Sequence, residues 1–273
     1  MTKIGTFKRR KPWLAALVSL INTGWGQFYC GNWKRGLVLL GIEFLLGAIL
    51  VFCMGTFSLF VLCGTALIGF NVYVAVDAYL CARNAGDYAL KPCNRWWVYA
   101  LLIACNIGIS SVYDSTVSGR FYNTYKIPSE SMLQTLQIGD HLMAEMLAAD
   151  DVVRRGDVAI VLFPEIGDTN FIKRVIALPG ETLVVRDKVV FIDGKRLDEP
   201  YVYQRSTKDN PRTDNFGPYT IPAEQYFLMG DNRQGSHDSR FVGTIKRADI
   251  LARAKYLYYP GDGEWSRWGK TIR

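Results

Sequence analysis

Residues 170–181 read NFIKRVIALPGE. The apolar, β-branched run marks a strand, and Pro179-Gly180 ends it with a turn. Neighbouring side chains on a strand face opposite ways. Lys173 therefore shares a face with Phe171 and Val175, and Arg174 shares the other with Ile172 and Ile176. Two basic groups on so apolar a strand are either a solvated edge or a buried device. The surrounding segments have the same strand character: DVAIVLF (157–163), ETLVVRDKVVFIDG (181–194), YFLMGD (226–231) and ARAKYLYY (252–259). Asp193-Gly194 and Gly230-Asp231 supply further turns, and no sustained 3.6-residue period intervenes. Residues 116–273 are thus expected to form a mainly β, barrel-like domain. The polar stretch 204–217 reads as a surface loop.

Toward the N-terminus the composition changes. The chain has 273 residues, 49% of them hydrophobic, and a net charge of +7. The apolar residues crowd into the first 115 or so. Runs at 36–54, 57–80 and 96–113 approach or exceed the roughly 20 residues that span a bilayer core. A shorter run, 13–28, is broken by NTGWGQ and reads as re-entrant or as an additional span. Its basic start resembles a signal peptide, but no small-x-small cleavage site stands out, so it is read as retained. The glycines and aromatics of GWGQFYCGNWKRG suit close helix packing. Residues 1–115 are expected to be a helical multi-span membrane anchor.

The positive charges set the expected topology. Lys3, Lys8, Arg9, Arg10 and Lys11, then Lys34 and Arg35, then Arg83, Lys91 and Arg95, all belong at the cytoplasmic face. Three spans satisfy this and put residues 116–273 outside; a fourth span returns that half to the side of the N-terminus. Glu43, Asn71, Asp77 and Asn106 lie in or near the apolar runs. Glu43 is deep enough to suggest a function, whereas Asp77 reads as a capping or snorkelling group near an interface. All six cysteines (Cys30, Cys53, Cys63, Cys81, Cys93, Cys105) fall in this half and read as small buried hydrophobes. No Cys/His spacing suggests a metal. The basic balance is explained by membrane flanks, and no patch of interleaved basic and aromatic residues suggests nucleic acid.

KIPSESMLQTLQIGDHL (126–142) places two serines among apolar residues. A nucleophilic serine needs a base and oxyanion donors. His141 and His237 are the two histidines in the chain. His237 neighbours Asp238, but adjacent side chains on an extended chain diverge. Arginine is no base at working pH. Lysine is, if burial lowers its pKa, and this is the Ser-Lys variant of the triad. A third stretch, GDNRQGSHDSRFVG (230–243), is dense in turn formers and charges fit to orient an amine.

Together, and in this order after a membrane anchor, PSESMLQTLQIGDHL, IKRVIALPGE and GDNRQGSHDSR resemble the serine, lysine and C-terminal boxes of the type I signal peptidases. The resemblance spans roughly residues 125–242. It implies a signal-peptidase-like β fold with Ser131 as nucleophile and Lys173 as general base. The Ser131 amide and the Ser129 hydroxyl would be the oxyanion donors, and Ser236 would orient the lysine. Asp231, Arg233, Asp238, Arg240 and Arg174 would hold the site together. It implies no cofactor and no metal. The substrates would be preproteins with small residues at the first and third positions before the cut. The enzyme would sit in a bacterial-type cytoplasmic membrane, with its catalytic domain outside, near lipid and the export machinery. A partly apolar rim at Met132 and Leu133 is expected to touch lipid. Two positions depart from the family pattern. Gln134 replaces a common proline, which puts the stiffness of the turn in question, and Glu130 replaces a common glycine and is expected to face solvent. The rival readings are a Ser-Lys peptidase for a specialised precursor, such as a pilin or conjugation type, and a non-enzymatic membrane scaffold.

Overall fold

In a computed structural model of the chain, residues 10–85, 92–116, 119–164, 166–203 and 211–272 are described. The chain divides into two compact units, Met1–Thr116 and Val117–Arg273.

The first unit is helical: α1 (Pro12–Ile21), α2 (Trp25–Tyr29), α3 (Trp33–Cys53), α4 (Phe57–Asn84) and α5 (Trp96–Thr116). The run 13–28 is therefore two short helices. Gly24, at φ +86°, lies between them and is the residue best able to adopt that conformation. Two described helices, Trp33–Cys53 and Phe57–Asn84, are long and apolar enough to cross a membrane. The glycines of the GWG motif sit where backbones meet. A Cβ on Gly26 would come within 2.3 Å of the Ala15 carbonyl oxygen and 2.6 Å of the Ala78 methyl.

Polar side chains in this unit pair with one another, as an apolar surround demands. Buried Gln27 accepts from Ser19 Oγ (3.2 Å) and donates to the Val74 carbonyl (3.1 Å) and Asp77 Oδ2 (2.9 Å). Asp77 also pairs with Arg35 at 2.5 Å, so it ties three helices together, in place of the capping or snorkelling expected of it. Thr23 donates to Asn71 (2.8 Å) and Asn106 to Asn22 (2.9 Å). Glu43 is half-buried on α3 and makes no hydrogen bond among the described residues. Lys3, Lys8, Arg9 and Lys91 of the topology argument lie outside the described residues.

Among the described residues, the second unit holds eleven strands: β1 (Tyr122–Lys126), β2 (His141–Met146), β3 (Val158–Phe163), β4 (Gly167–Ala177), β5 (Thr182–Arg186), β6 (Val189–Ile192), β7 (Lys195–Arg196), β8 (Phe216–Thr220), β9 (Gln225–Met229), β10 (Ile245–Lys246) and β11 (Ile250–Tyr259). They form a seven-stranded sheet in the order β1-β2-β11-β3-β4-β9-β10 and a four-stranded sheet β7-β6-β5-β8. Among the described residues, the strand pairings within them are antiparallel. The barrel expectation is not met, since no sheet closes among the described residues and β1 and β10 remain as edges. Within the polar stretch 204–217, residues 204–210 lie outside the described residues. The rest departs from a plain loop, with a short helix α6 (Pro211–Asp214) and the start of β8.

Alternation along the strands builds three cores. On one face of the large sheet, Leu142, Ala144, Val158, Ile160, Ala252, Ala254 and Leu257 pack with Ile127, Met132 and Leu136. On the other, Ala159, Val161, Phe163, Val175 and Leu228 pack with Ile245 and Ile250. Ile176, Ala177, Phe227 and Met229 join the small sheet in the third. Burying such side chains stabilises by roughly 1.5–3 kcal/mol each, and this fixes the strand register around the site.

Candidate active site

Three segments meet at the middle of β4. The first is a 3-10 turn, Glu130–Met132. Met132 and Leu136 are buried in the core on one face of the large sheet, and this pins the turn while Ser129 and Glu130 stay exposed. Met132 is only 1% exposed, so it forms no rim; its side chain anchors the Glu130–Met132 turn in the core. Glu130 faces solvent as expected. Gln134 has φ +82°. With Leu133 at φ −54° and ψ 146°, and Thr135 N–H donating to the Met132 carbonyl at 3.1 Å, this is a type II turn. Proline is locked near φ −65° and cannot occupy it. The turn is instead held by the Thr135 and Leu136 amides, both donating to Met132 O.

The second segment is β4 itself. Lys173 and Arg174 point to opposite faces, as the strand reading requires. Lys173 Nζ lies 3.0 Å from Ser131 Oγ, with Nζ donating, and the lysine is 3% exposed. Burial pushes the Lys173 ammonium down from its ordinary value to about 8, against the opposing pull of Asp238 and Asp231. Ser129 Oγ donates to Ser131 Oγ at 3.3 Å. Arg174, 1% exposed, forks onto Asp231 through Nε (2.8 Å) and Nη2 (2.6 Å). Its Nη1 donates to the Gly156 carbonyl (2.8 Å), and its guanidinium lies 3.9 Å over the Tyr201 ring. A buried guanidinium with its donors so satisfied is structural and not an exposed edge charge.

The third segment runs from Gly230 to Val242 and ends in α7 (Ser239–Val242). Asp238 caps that helix, accepts from the Gly230 amide (3.0 Å) and pairs with Arg240 at 2.9 Å. Arg240 in turn donates to the Arg233 carbonyl (2.6 Å). Arg233 pairs with Glu199. Ser236 is buried, and its hydroxyl makes no hydrogen bond among the described residues, so the expected bond to Lys173 is not formed in this structure. Ser236 nevertheless packs tightly: a Cβ on Gly230 would meet its Oγ at 2.3 Å and the Ser131 carbonyl at 2.5 Å.

Four contributors were not singled out from sequence. Asn232 grips the Glu130–Met132 turn, its backbone amide donating to Ser131 O (3.1 Å) and its side chain to Glu130 O (3.1 Å). It lies inside the GDNRQ stretch, where an asparagine among turn formers and charges was the readable signal. Thr135 donates to Asp231 at 2.5 Å. Glu199 and Tyr201 come from a distant segment that no local pattern marks. The histidines take no part: His141 begins β2 and contacts Tyr258 and Tyr259, and His237 stacks on Phe241.

The site thus holds a buried amine on a serine hydroxyl, beside a loop tied down by the Arg174–Asp231 and Arg240–Asp238 ion pairs. A model of the family described as signal peptidase, peptidase S26, matches residues 95–259. The chain is 37% identical over 163 residues to a signal peptidase I of Leptolyngbya laminosa, covering 56% of this chain and 77% of that one. Over 171 residues it is 30% identical to signal peptidase I S of Bacillus subtilis (strain 168), covering 60% and 88%. A solved structure of a signal peptidase I from Enterococcus faecalis V583 is 31% identical, with a TM-score of 0.34, and matches 38% of this chain and 97% of that one. The chain belongs to the signal peptidase family, peptidase S26. It is a serine endopeptidase that removes signal peptides, and its two long apolar helices are consistent with a membrane-anchored protein.

Proposed function

We propose that Ser131 is the nucleophile and Lys173 its general base. The carrying observation is the 3.0 Å contact between Lys173 Nζ and Ser131 Oγ, made by a buried lysine. In the resting state the amine donates to the oxygen. When Lys173 is neutral, the same contact lets the hydroxyl donate to the nitrogen lone pair. Oγ then attacks the scissile carbonyl, and the proton passes to Nζ. The tetrahedral oxyanion is held by the Ser131 amide and the Ser129 hydroxyl; losing one such donor costs about 2.7–4 kcal/mol of barrier. The protonated lysine returns its proton to the departing amine and then draws one from the water that hydrolyses the acyl-enzyme. Ser236 packs against this site and swings onto Nζ as the lysine changes charge. Asp231, Arg233, Asp238, Arg240 and Arg174 keep the third segment in place.

The substrate binds extended. β9 pairs with β4 only at Arg174, Val175 and Ala177, so the stretch of β4 leading to Lys173 has no β9 partner and offers backbone groups to an added strand. Small residues at the first and third positions before the cut fit that approach. In the membrane, α3, α4 and α5 span, with α1 and α2 folded back. This sets Arg35 and Arg83 inside and residues 117–273 outside, within reach of lipid and the export machinery. The test is cleavage of a preprotein ending in Ala-x-Ala, in detergent, by wild type, Ser131→Ala and Lys173→Ala. Loss of cleavage in both variants, with both folded, is expected; undiminished cleavage in either ends the dyad reading.

A further inference from the structure

The mechanism leaves the cysteines unused, and two pairs of them meet: Cys53 with Cys63, and buried Cys30 in a cluster against which Cys81 packs. Cys53 is the last residue of α3, and Cys63 is the seventh of α4, across the short connection 54–56. Cys63 Sγ donates to Cys53 Sγ at 3.2 Å. A disulfide needs about 2.05 Å, so closure requires the sulfurs to approach by roughly 1 Å. Both residues are half-buried, which leaves the sulfurs reachable, whereas Cys30 is buried.

The position of the pair in α4 gives it a compartment. Cys81 lies eighteen residues further along the same helix, just before Arg83, with the side-chain amide of Asn32, which is close to Arg35 in the chain, on its sulfur at 3.1 Å. At 1.5 Å per residue that separation is about 27 Å, close to the thickness of a bilayer core. The two thiol groups therefore sit at opposite faces. We infer that Cys53 and Cys63 form a disulfide that staples the α3–α4 hairpin at its outward end, while the Cys30–Cys81 end stays reduced. The inference rests on the three-span orientation above for its oxidant, a thiol-disulfide exchanger of an oxidising compartment. One thiolate attacks the exchanger's S–S bond and expels one of its sulfurs as a thiolate. The second cysteine attacks the mixed disulfide and expels the other. The pair is oxidised by two electrons, and its two protons end on the exchanger's two thiols.

The experiment counts free thiols with a polyethylene-glycol maleimide in membranes quenched with acid and dissolved in SDS. Wild type, with six cysteines, should take four labels before reduction and six after. Cys53→Ala and Cys63→Ala should each take five in both states. Six labels on unreduced wild type, or an unreduced disulfide that persists in Cys53→Ala and is lost in Cys81→Ala, overturns the inference. Purified, reduced protein treated with glutathione disulfide locates such a failure. Closure there but not in membranes overturns it through the orientation, and no closure in either overturns it through the geometry. Preprotein cleavage by Cys53→Ala should match wild type, so the peptidase reading is judged separately.

Discussion

The base role proposed for Lys173 rests on its burial. With its pKa lowered to about 8, preprotein cleavage should rise with pH through that region rather than near the ~10.4 of a free lysine. A rate profile that instead follows a group near 6.5, and is lost in His237→Ala, would favour a histidine base. The same shift has a stability consequence. Between about pH 8 and 10 the unfolded chain holds the Lys173 proton and the folded chain does not, so stability rises with pH across that window. The full rise is up to about 3 kcal/mol and should be absent from Lys173→Met in unfolding measured over pH. Gln134 is the second informative residue. Its left-handed conformation suits glycine, so Gln134→Gly should stabilise by up to about 1 kcal/mol, and Gln134→Pro should lower both stability and turnover. A proline variant as stable and active as wild type would contradict the type II turn. The family pattern suggested that losing proline loosens the turn; here the turn takes a shape that proline cannot enter.

At the scale of elements, β4 works because its two basic side chains do different things on opposite faces. Arg174 locks the third segment to the strand through Asp231, and Asn232, the next residue, grips the carbonyl of Ser131. Asp231→Ala strands a buried guanidinium and should cost roughly 3–5 kcal/mol. Asn232→Ala should cost about 1–3 kcal/mol and lower kcat more than KM, because it removes the side-chain bond to the Glu130 carbonyl beside Ser131, keeps the backbone bond to Ser131 O, and removes no substrate contact. Denaturant unfolding and steady-state cleavage measure the two, and an Asn232→Ala enzyme with wild-type kcat would remove the loop's positioning role. Alternation and turn residues made β3, β4, β5, β6, β9 and β11 readable in the sequence. β1, β2 and β8 were not, since YNTYK and FGPYT are largely polar and β2 follows the serine stretch; pairing to neighbouring strands, not local pattern, makes them strands.

At the scale of the whole molecule, the chain folds as two units with separate cores, one built on helix contacts at Gly26 and Gln27 and one on the sheets. Unfolding should therefore show two transitions. Gly26→Leu, which forces a side chain into the Ala15 and Ala78 contacts, should lower one; Asp231→Ala should lower the other. Calorimetry in detergent distinguishes this from a single shared transition.

The sequence by itself determined where the apolar helices run and that the second half is built of strands. Those properties are local: hydropathy, period-two alternation and the chemistry of residue types within a short span. Tertiary structure decided that the sheets stay open, that Met132 is an anchor and no rim, and that Asp77 joins helices. It also decided that Asn232, Glu199 and Tyr201 brace the site. Each depends on contacts between residues far apart in the chain, and the burial of Lys173, which lowers its pKa, exists only once those contacts close around it.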